Sequence, residues 1–195
     1  MAATPTIRTA RLSLRPFTRA DAGVVAEFAG AIEIADTTIS IPHPYSLQAA
    51  LDWIASHRRA RERGRSFRFA VTEVELAQLV GCVELRGLDP EHAQAELGFW
   101  IGKPFWRRGY AAEAGSAVVR FGFESLALNR IYAFHMARNP ASGRVLQKLG
   151  MQREGILRQR VRKWGRFEDV MAYSVLRSDV GLEPIASPPA EYAQP

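Results

Sequence analysis

The chain has 195 residues, of which 47% are hydrophobic and 24% are charged, and this globular composition excludes disordered and fibrous proteins and predicts one domain with its own core. No apolar run reaches the roughly 18–20 residues that are needed to cross a bilayer, and residues 1–11 lack the apolar centre of a signal peptide. The single cysteine, Cys82, is what we expect of a protein in the reducing cytoplasm. The net charge of +6 is concentrated in residues 58–68 and 153–166, which leaves nucleic-acid binding, attraction of anionic ligands and a solvated surface all open.

Strand and helix patterns alternate along the chain. Alternating apolar and polar residues predict strands at residues 11–15, 67–71, 79–85, 95–101, 130–137, 153–164 and 168–176. Apolar residues at helical spacing behind capping residues predict helices that begin at Thr18, Ser46, Ala111 and Asn139. This order predicts an α/β fold in which a mixed sheet carries helices on both faces. We expect one domain over residues 6–178 and a loose, Pro- and Ala-rich C-terminal tail over residues 179–195.

The turn before the third predicted helix has the features of an anion site. The first amides of a helix have no intrahelical partner, and the helix dipole is positive at that end. Gly109 permits close approach of a ligand to the backbone, Ala111 and Ala112 keep the space clear, and Arg107 and Arg108 add positive charge. An ordinary turn with solvated arginines explains the same segment, so the turn alone does not decide.

A family resemblance favours the anion site. The segment Phe-Trp-Arg-Arg-Gly-Tyr-Ala-Ala-Glu-Ala at 105–114 resembles the pyrophosphate motif of GNAT acyltransferases, and its tryptophan and Gly-Tyr-Ala-x-Glu-Ala resemble the RimJ/RimL subgroup, which acetylates protein N-termini. Residues 137–151 are similar to that subgroup's Asn-x-x-Ser…Lys-x-Gly segment, and residues 95–100 and 41–45 to its fourth strand and substrate loop. The resemblance covers residues 6–178 and implies a GNAT fold: a mostly antiparallel sheet of six to seven strands with about four helices.

Acetyl-CoA is the cofactor that this resemblance implies. The residues expected to bind it are Phe99, Trp100, Ile101, Arg107, Arg108, Gly109, Tyr110, Ala111, Ala112, Asn139 and Ser142. Two departures stand out. Arg107 occupies a position where the subgroup usually has glycine, and Leu146 stands where many GNAT enzymes place a tyrosine acid.

Acetyl transfer to an amine requires a neutral amine, a polarised thioester carbonyl and a stabilised thiolate. We predict that Glu96 acts as the base through a water, although a salt-bridged strand glutamate is as consistent with the spacing. Backbone amides of residues 99–101 would polarise the carbonyl, as the resemblance implies. Ser142 would hydrogen-bond the sulfur or protonate it, unless it only helps Asn139 to cap its helix.

The acceptor is expected to meet His43, Tyr45 and Trp164, which lie in predicted loops or turns. The four histidines lack mutual metal-ligand spacing, so no metal is predicted, and Cys82 fits a core position. The favoured function is N-acetylation of the N-terminal α-amino group of a protein or peptide, with a ribosomal protein as the expected type of substrate. The alternative acceptor is a small amine such as a polyamine, an amino acid or an antibiotic. A non-catalytic RNA- or ribosome-binding module and a catalytically decayed enzyme stay open, as does a monomer or a homodimer. No membrane partner is expected, and nucleic acid is expected only indirectly, through the ribosome.

Overall fold

The computed structural model describes residues 4–183. Its strands are β1 (Ile7–Arg8), β2 (Leu12–Arg15), β3 (Ser66–Glu73), β4 (Gln78–Asp89), β5 (Gln94–Ile101), β6 (Arg130–Met136), β7 (Gln152–Lys163) and β8 (Arg166–Leu176). Its α-helices are α1 (Ala22–Gly30), α2 (Ile32–Ala35), α3 (Leu47–Glu62), α4 (Tyr110–Glu124) and α5 (Pro140–Lys148).

All eight strands form one sheet in the order β1-β2-β3-β4-β5-β6-β8-β7. Every neighbouring pair is antiparallel except β5 and β6, which run parallel. The predicted fold class is therefore confirmed. The sequence predicted seven of these eight strands. It did not predict β1 (Ile7–Arg8) or the four-residue helix α2 (Ile32–Ala35), because elements this short show no recognisable periodicity.

Helices cover both faces of the sheet, as predicted. On one face α4 and α5 bury residues such as Val118, Phe123 and Leu146 against Leu12, Phe69 and other strand residues. On the opposite face α1 and α3 pack against Ala70, Cys82 and Trp100. Cys82 is a buried free thiol, and burial, followed by the negative charge of Glu84, raises its pKa well above the ordinary range.

Two of the predicted helix starts, at Ser46 and Thr18, are confirmed by their hydrogen bonds. Ser46 Oγ accepts from the amide of Ala49 at 3.1 Å. Asp21 Oδ2 accepts from the amide of Thr18 at 2.7 Å and opens a 3-10 turn that leads into α1. The turn between β7 and β8 consists of Trp164 and Gly165, both with positive φ (46° and 84°), which is the backbone of a tight two-residue hairpin.

A short 3-10 turn, Ser178–Val180, follows β8. The amide of Leu182 donates to the carbonyl of Arg177, whose guanidinium donates to the carbonyl of Phe123 in α4. The remainder of the predicted tail, residues 184–195, lies outside the described residues. Within residues 4–183, no helix combines the length and the apolar character that crossing a membrane requires.

Candidate active site

A slot opens where two central strands separate. β5 pairs with β6 only at Gln94–Glu96, and the strands diverge beyond that point. A cavity of about 1090 Å³ lies there, with residues 97–101 of β5 and residues 134–136 of β6 on its walls. Backbone groups on the β6 side of β5 lose their neighbouring strand, so they are left to bind a ligand chain or water.

Most of the predicted cofactor residues lie on this cavity. Its walls include Phe99, Trp100, Ile101, Arg107, Gly109, Tyr110, Ala111, Ala112, Asn139 and Ser142, together with the predicted base Glu96. Arg108 is not among the lining residues; its guanidinium instead lies over the ring of Phe105, 5.6 Å from the centroid. The structure therefore assigns the two adjacent arginines to different surroundings.

The N-terminus of α4 faces this cavity without a side-chain cap. Gly109 precedes the helix with a φ of 83°. The first hydrogen bond of the helix is donated by the amide of Glu113 to the carbonyl of Gly109, at 3.0 Å. The amides between them have no intrahelical partner, and the helix dipole adds partial positive charge. Trp106 fixes the preceding turn, because its Nε1 donates to the carbonyl of Ile101 at 2.6 Å. This end of the cavity is built to receive an anion.

Glu113 ties the same turn to the N-terminal strands. Its carboxylate accepts from Thr9 Oγ1 at 2.6 Å, from the amide of Arg11 at 2.9 Å and from Arg11 Nε at 2.7 Å. Arg11 also donates to the carbonyl of Arg108 at 3.0 Å. Burial alone would raise the pKa of Glu113, but the hydrogen bonds from Thr9 and Arg11 outweigh it and lower that pKa.

Arg107 adopts the left-handed backbone that the glycine of the motif would adopt freely. Its φ is 64°, a region that costs a non-glycine residue about 1–2 kcal/mol. The arginine therefore carries backbone strain that a glycine would avoid, and it adds a cation to the cavity wall.

Two further cations on the cavity were missed in the sequence. Arg144 and Lys148 lie four residues apart on α5 and line the cavity with Arg107. Within residues 4–183 none of these three forms an ion pair, which suits them to bind phosphate groups. Their spacing, i and i+4 directly after the Asn139 cap, is the sequence signal that could have identified them.

Asn139 and Ser142 form a reciprocal pair at the start of α5. Asn139 Oδ1 accepts from the amide of Ser142 at 3.3 Å, and its Nδ2 donates to Ser142 Oγ at 3.0 Å. Because the serine oxygen accepts this bond, its own proton is left for another acceptor in the cavity. Leu146, at the position of the absent tyrosine, is buried with 1% of its surface exposed, so no acid stands there.

A chain of ion pairs crosses the wall next to the slot. Arg68 Nε lies 2.6 Å from Glu84 Oε2, Arg86 Nη1 lies 3.4 Å from Glu84 Oε1, and Arg86 Nη2 contacts Glu96. The predicted base is thus both ion-paired and on the cavity. Gly98 leaves room for this arrangement, because a Cβ there would come within 3.1 Å of Glu84 Oε1.

The structure places one of the three residues predicted to meet the acceptor on the cavity wall and the other two outside it. Tyr45 lines the cavity, whereas His43 and Trp164 lie outside its lining, with their rings 6.2 Å apart. His43 Nδ1 is 2.8 Å from the carbonyl of Gly30. The loop before Tyr45, residues 37–42, forms part of the cavity wall.

Comparisons with known proteins agree with this geometry. Residues 11–152 match the acetyltransferase (GNAT) domain. The chain is 32% identical over 173 residues to YoaA of Bacillus subtilis, an uncharacterised N-acetyltransferase, covering 89% of this chain and 97% of that protein. It is 26% identical over 128 residues to the ribosomal protein uS5-alanine N-acetyltransferase of Escherichia coli, covering 65% and 64% of the two chains.

Among solved structures, a spermidine N-acetyltransferase from Vibrio cholerae in complex with CoA and spermine superimposes with a TM-score of 0.76 at 23% identity, covering 88% of this chain and 98% of that chain. At that identity the likeness shows the fold alone. The family match covers most of the chain, and the slot, the uncapped helix and the free cations fit a pyrophosphate-containing cofactor. The chain belongs to the GNAT family of acetyl-CoA-dependent N-acetyltransferases.

Proposed function

We propose that this enzyme acetylates the N-terminal α-amino group of a protein or peptide. One observation carries the proposal: every carboxylate on the cavity wall is already ion-paired. These are Glu33 with Lys103, Glu84 with Arg68 and Arg86, and Glu96 with Arg86. The described wall offers no surplus negative charge to a polycation.

The charge balance separates the two acceptor classes. A polyamine brings two or more ammonium groups, and burying them without unpaired carboxylates is costly. A peptide N-terminus brings one ammonium followed by neutral amides. Arg68 Nη1, which is buried without a partner, also has a hydrogen to donate to an oxygen acceptor, and a peptide carries such oxygens while a polyamine does not.

An α-amino group also needs less help from a catalytic base to lose its proton than a lysine side chain does. Its ordinary pKa is about 8, against about 10.4 for lysine, so roughly a tenth of α-amines are already neutral at pH 7. We propose that Glu96 accepts the amine proton through a water and that Ser142 donates its hydroxyl proton as a hydrogen bond to the departing sulfur. Backbone amides of β5 facing the slot would polarise the acetyl carbonyl.

The chain's residues fit the cofactor along the whole slot. The free amides of α4 after Gly109 and the cation Arg107 would hold the pyrophosphate, with Arg144 and Lys148 available to further phosphate oxygens. Asn139 would hold the pantetheine arm, and bound acetyl-CoA supplies the activated acetyl group. The uS5-alanine enzyme, by its name, acts on a ribosomal protein, which supports a protein acceptor for its relative here.

A competition panel tests the proposal. Purified enzyme with acetyl-CoA is offered peptides beginning with Ala, Ser or Met, their N-blocked counterparts, spermidine and free lysine, and CoA release is measured. The proposal expects kcat/KM for at least one free peptide to exceed that for spermidine by about tenfold or more, with no turnover of the blocked peptide. Turnover of spermidine above every peptide would contradict it.

A further inference from the structure

The hairpin of β7 and β8 carries a set of unpaired cations that the proposed chemistry does not use. Five exposed arginines, here called the hairpin arginines, are Arg153, Arg158, Arg160, Arg162 and Arg166. Within residues 4–183 none of them forms an ion pair.

The three acidic residues of the same two strands do not balance this charge, because two of them are ion-paired elsewhere and the third cannot neutralise five arginines. Glu154 pairs with Arg130 at 2.6 Å, and Glu168 pairs with Arg138 at 3.0 Å. Asp169 Oδ1 accepts from the amide of Gln159 at 2.8 Å. The hairpin therefore carries net positive charge on both of its faces, since the register pairs Arg162 with Phe167 on one face and Arg166 with Lys163 on the other, and this charge attracts an anionic partner over about a Debye length.

Protection of the sheet edge accounts for part of this pattern but not all of it. β7 is the edge strand, and edge strands are commonly blunted by charges and bulges; a bulge lies between Leu157 and Val161. The hairpin, however, also exposes Trp164 at 48% and Phe167 at 62%. Exposed aromatic rings among unpaired arginines are typical of a binding surface.

The hairpin is joined directly to the acceptor side of the cavity. Lys163 Nζ, at the end of β7, donates to the carbonyl of Ile41 at 2.8 Å, and Ile41 lines the cavity. Arg138 pairs both with Glu168 of β8 and with Asp36 just before the cavity-wall loop. A polypeptide that left the cavity past this loop would reach the β7–β8 hairpin next.

We propose that the hairpin arginines bind an acidic segment that follows the acetylated N-terminus, so that the preferred acceptors are polypeptides with Asp and Glu shortly after their first residues. This rests on the proposed function, since it assumes a polypeptide acceptor. Arg158 lies five residues before the end of the bulged strand β7, a span of at most about 17 Å, so the acidic residues belong within about ten positions of the acceptor's N-terminus. A polypeptide is favoured over RNA because the surface continues the cavity wall, a connection that an RNA ligand would not use.

The test compares two peptides with the same first four residues, one followed by Asp and Glu, the other by Asn and Gln. We expect kcat/KM for the acidic peptide to be higher by about tenfold at low salt, mostly through KM, and the difference to vanish near 0.5 M NaCl, about where screening removes exposed interactions. The variant Arg158→Glu/Arg160→Glu should lose the preference while retaining wild-type turnover of the neutral peptide. Arg59→Glu/Arg63→Glu, the same charge change on two exposed arginines at the C-terminal end of α3, should keep the preference.

Each other outcome overturns the proposal in a distinct way. Equal kcat/KM for the two peptides refutes the role of the hairpin and leaves N-terminal acetylation standing. Failure of both peptides with turnover of spermidine refutes the proposed function and the hairpin proposal together. Salt-sensitive binding of single-stranded RNA that Arg158→Glu/Arg160→Glu abolishes, with no preference among peptides, would make the surface a nucleic-acid site. Unchanged circular dichroism and CoA affinity show that the variant is folded.

Discussion

Replacing Arg107 with glycine should raise stability and weaken cofactor binding at once. The left-handed backbone at φ 64° costs arginine about 1–2 kcal/mol, which glycine avoids. Glycine also has more conformational freedom in the unfolded chain, which offsets about 0.4–1 kcal/mol of that stabilisation. The net expectation is a stabilisation of about 0.5–1 kcal/mol, or a rise in Tm of about 1–4 °C for a chain of this size.

The same substitution removes one of three unpaired cations from the cavity wall. One exposed cation against a phosphate contributes about 1 kcal/mol, so the Kd of CoA should rise roughly fivefold. Arg107→Ala separates the two effects, because it removes the charge but keeps the strained backbone. It should weaken CoA binding to the same extent without the rise in Tm.

Arg108→Gly is the matched control. Arg108 has no positive φ and does not line the cavity, so glycine there should lower stability by about 0.4–1 kcal/mol and change the Kd of CoA less. Calorimetric unfolding and titration with CoA measure both quantities. Equal destabilisation by Arg107→Gly and Arg108→Gly would refute the backbone argument, and an unchanged Kd in both Arg107 variants would refute the role of its charge.

Three further substitutions test the assigned roles. Glu96→Gln should lower kcat by about a hundredfold with CoA affinity retained, whereas Glu84→Gln on the same wall should lower it less; equal losses would remove Glu96 as the base. Ser142→Ala should lower kcat by about tenfold while the cap persists, since Asn139 bonds the backbone amide of residue 142; unchanged kcat would leave that serine a capping residue only. Glu113→Gln should destabilise the protein most at neutral pH. The pKa of Glu113 is lower in the folded protein than the unfolded value of about 4.3, so its carboxylate stabilises the folded state above that pH, and this stabilisation is lost as the pH falls through the folded pKa. A difference in Tm between wild type and variant that persists well below pH 4 would contradict this.

The sequence predicted the fold where periodicity and caps were long enough to read. Seven strands, the major helices and the hairpin turn at Trp164 were confirmed, because alternation, capping side chains and glycine act locally. The short elements Ile7–Arg8 and Ile32–Ala35 depend on tertiary pairing and left no local signal.

Residues of the candidate site could be predicted where they belong to a sequence motif, as Gly109 and Asn139 do. Side-chain contacts between neighbouring strands could not be predicted. The ion-pair chain through Arg86 joins residues that strand register alone brings together, so the sequence allowed a salt-bridged Glu96 but did not identify Arg86 as its partner. The separate surroundings of Arg107 and Arg108 likewise follow from one backbone angle rather than from composition.

The position of the acetyl group on the product tests the central claim most directly. A peptide with both a free N-terminus and an internal lysine is incubated with enzyme and acetyl-CoA, and tandem mass spectrometry locates the modification. The lower pKa of the α-amine predicts acetylation of the N-terminal nitrogen in preference to the lysine side chain. Acetylation of the lysine side chain in preference to the N-terminus would contradict the account.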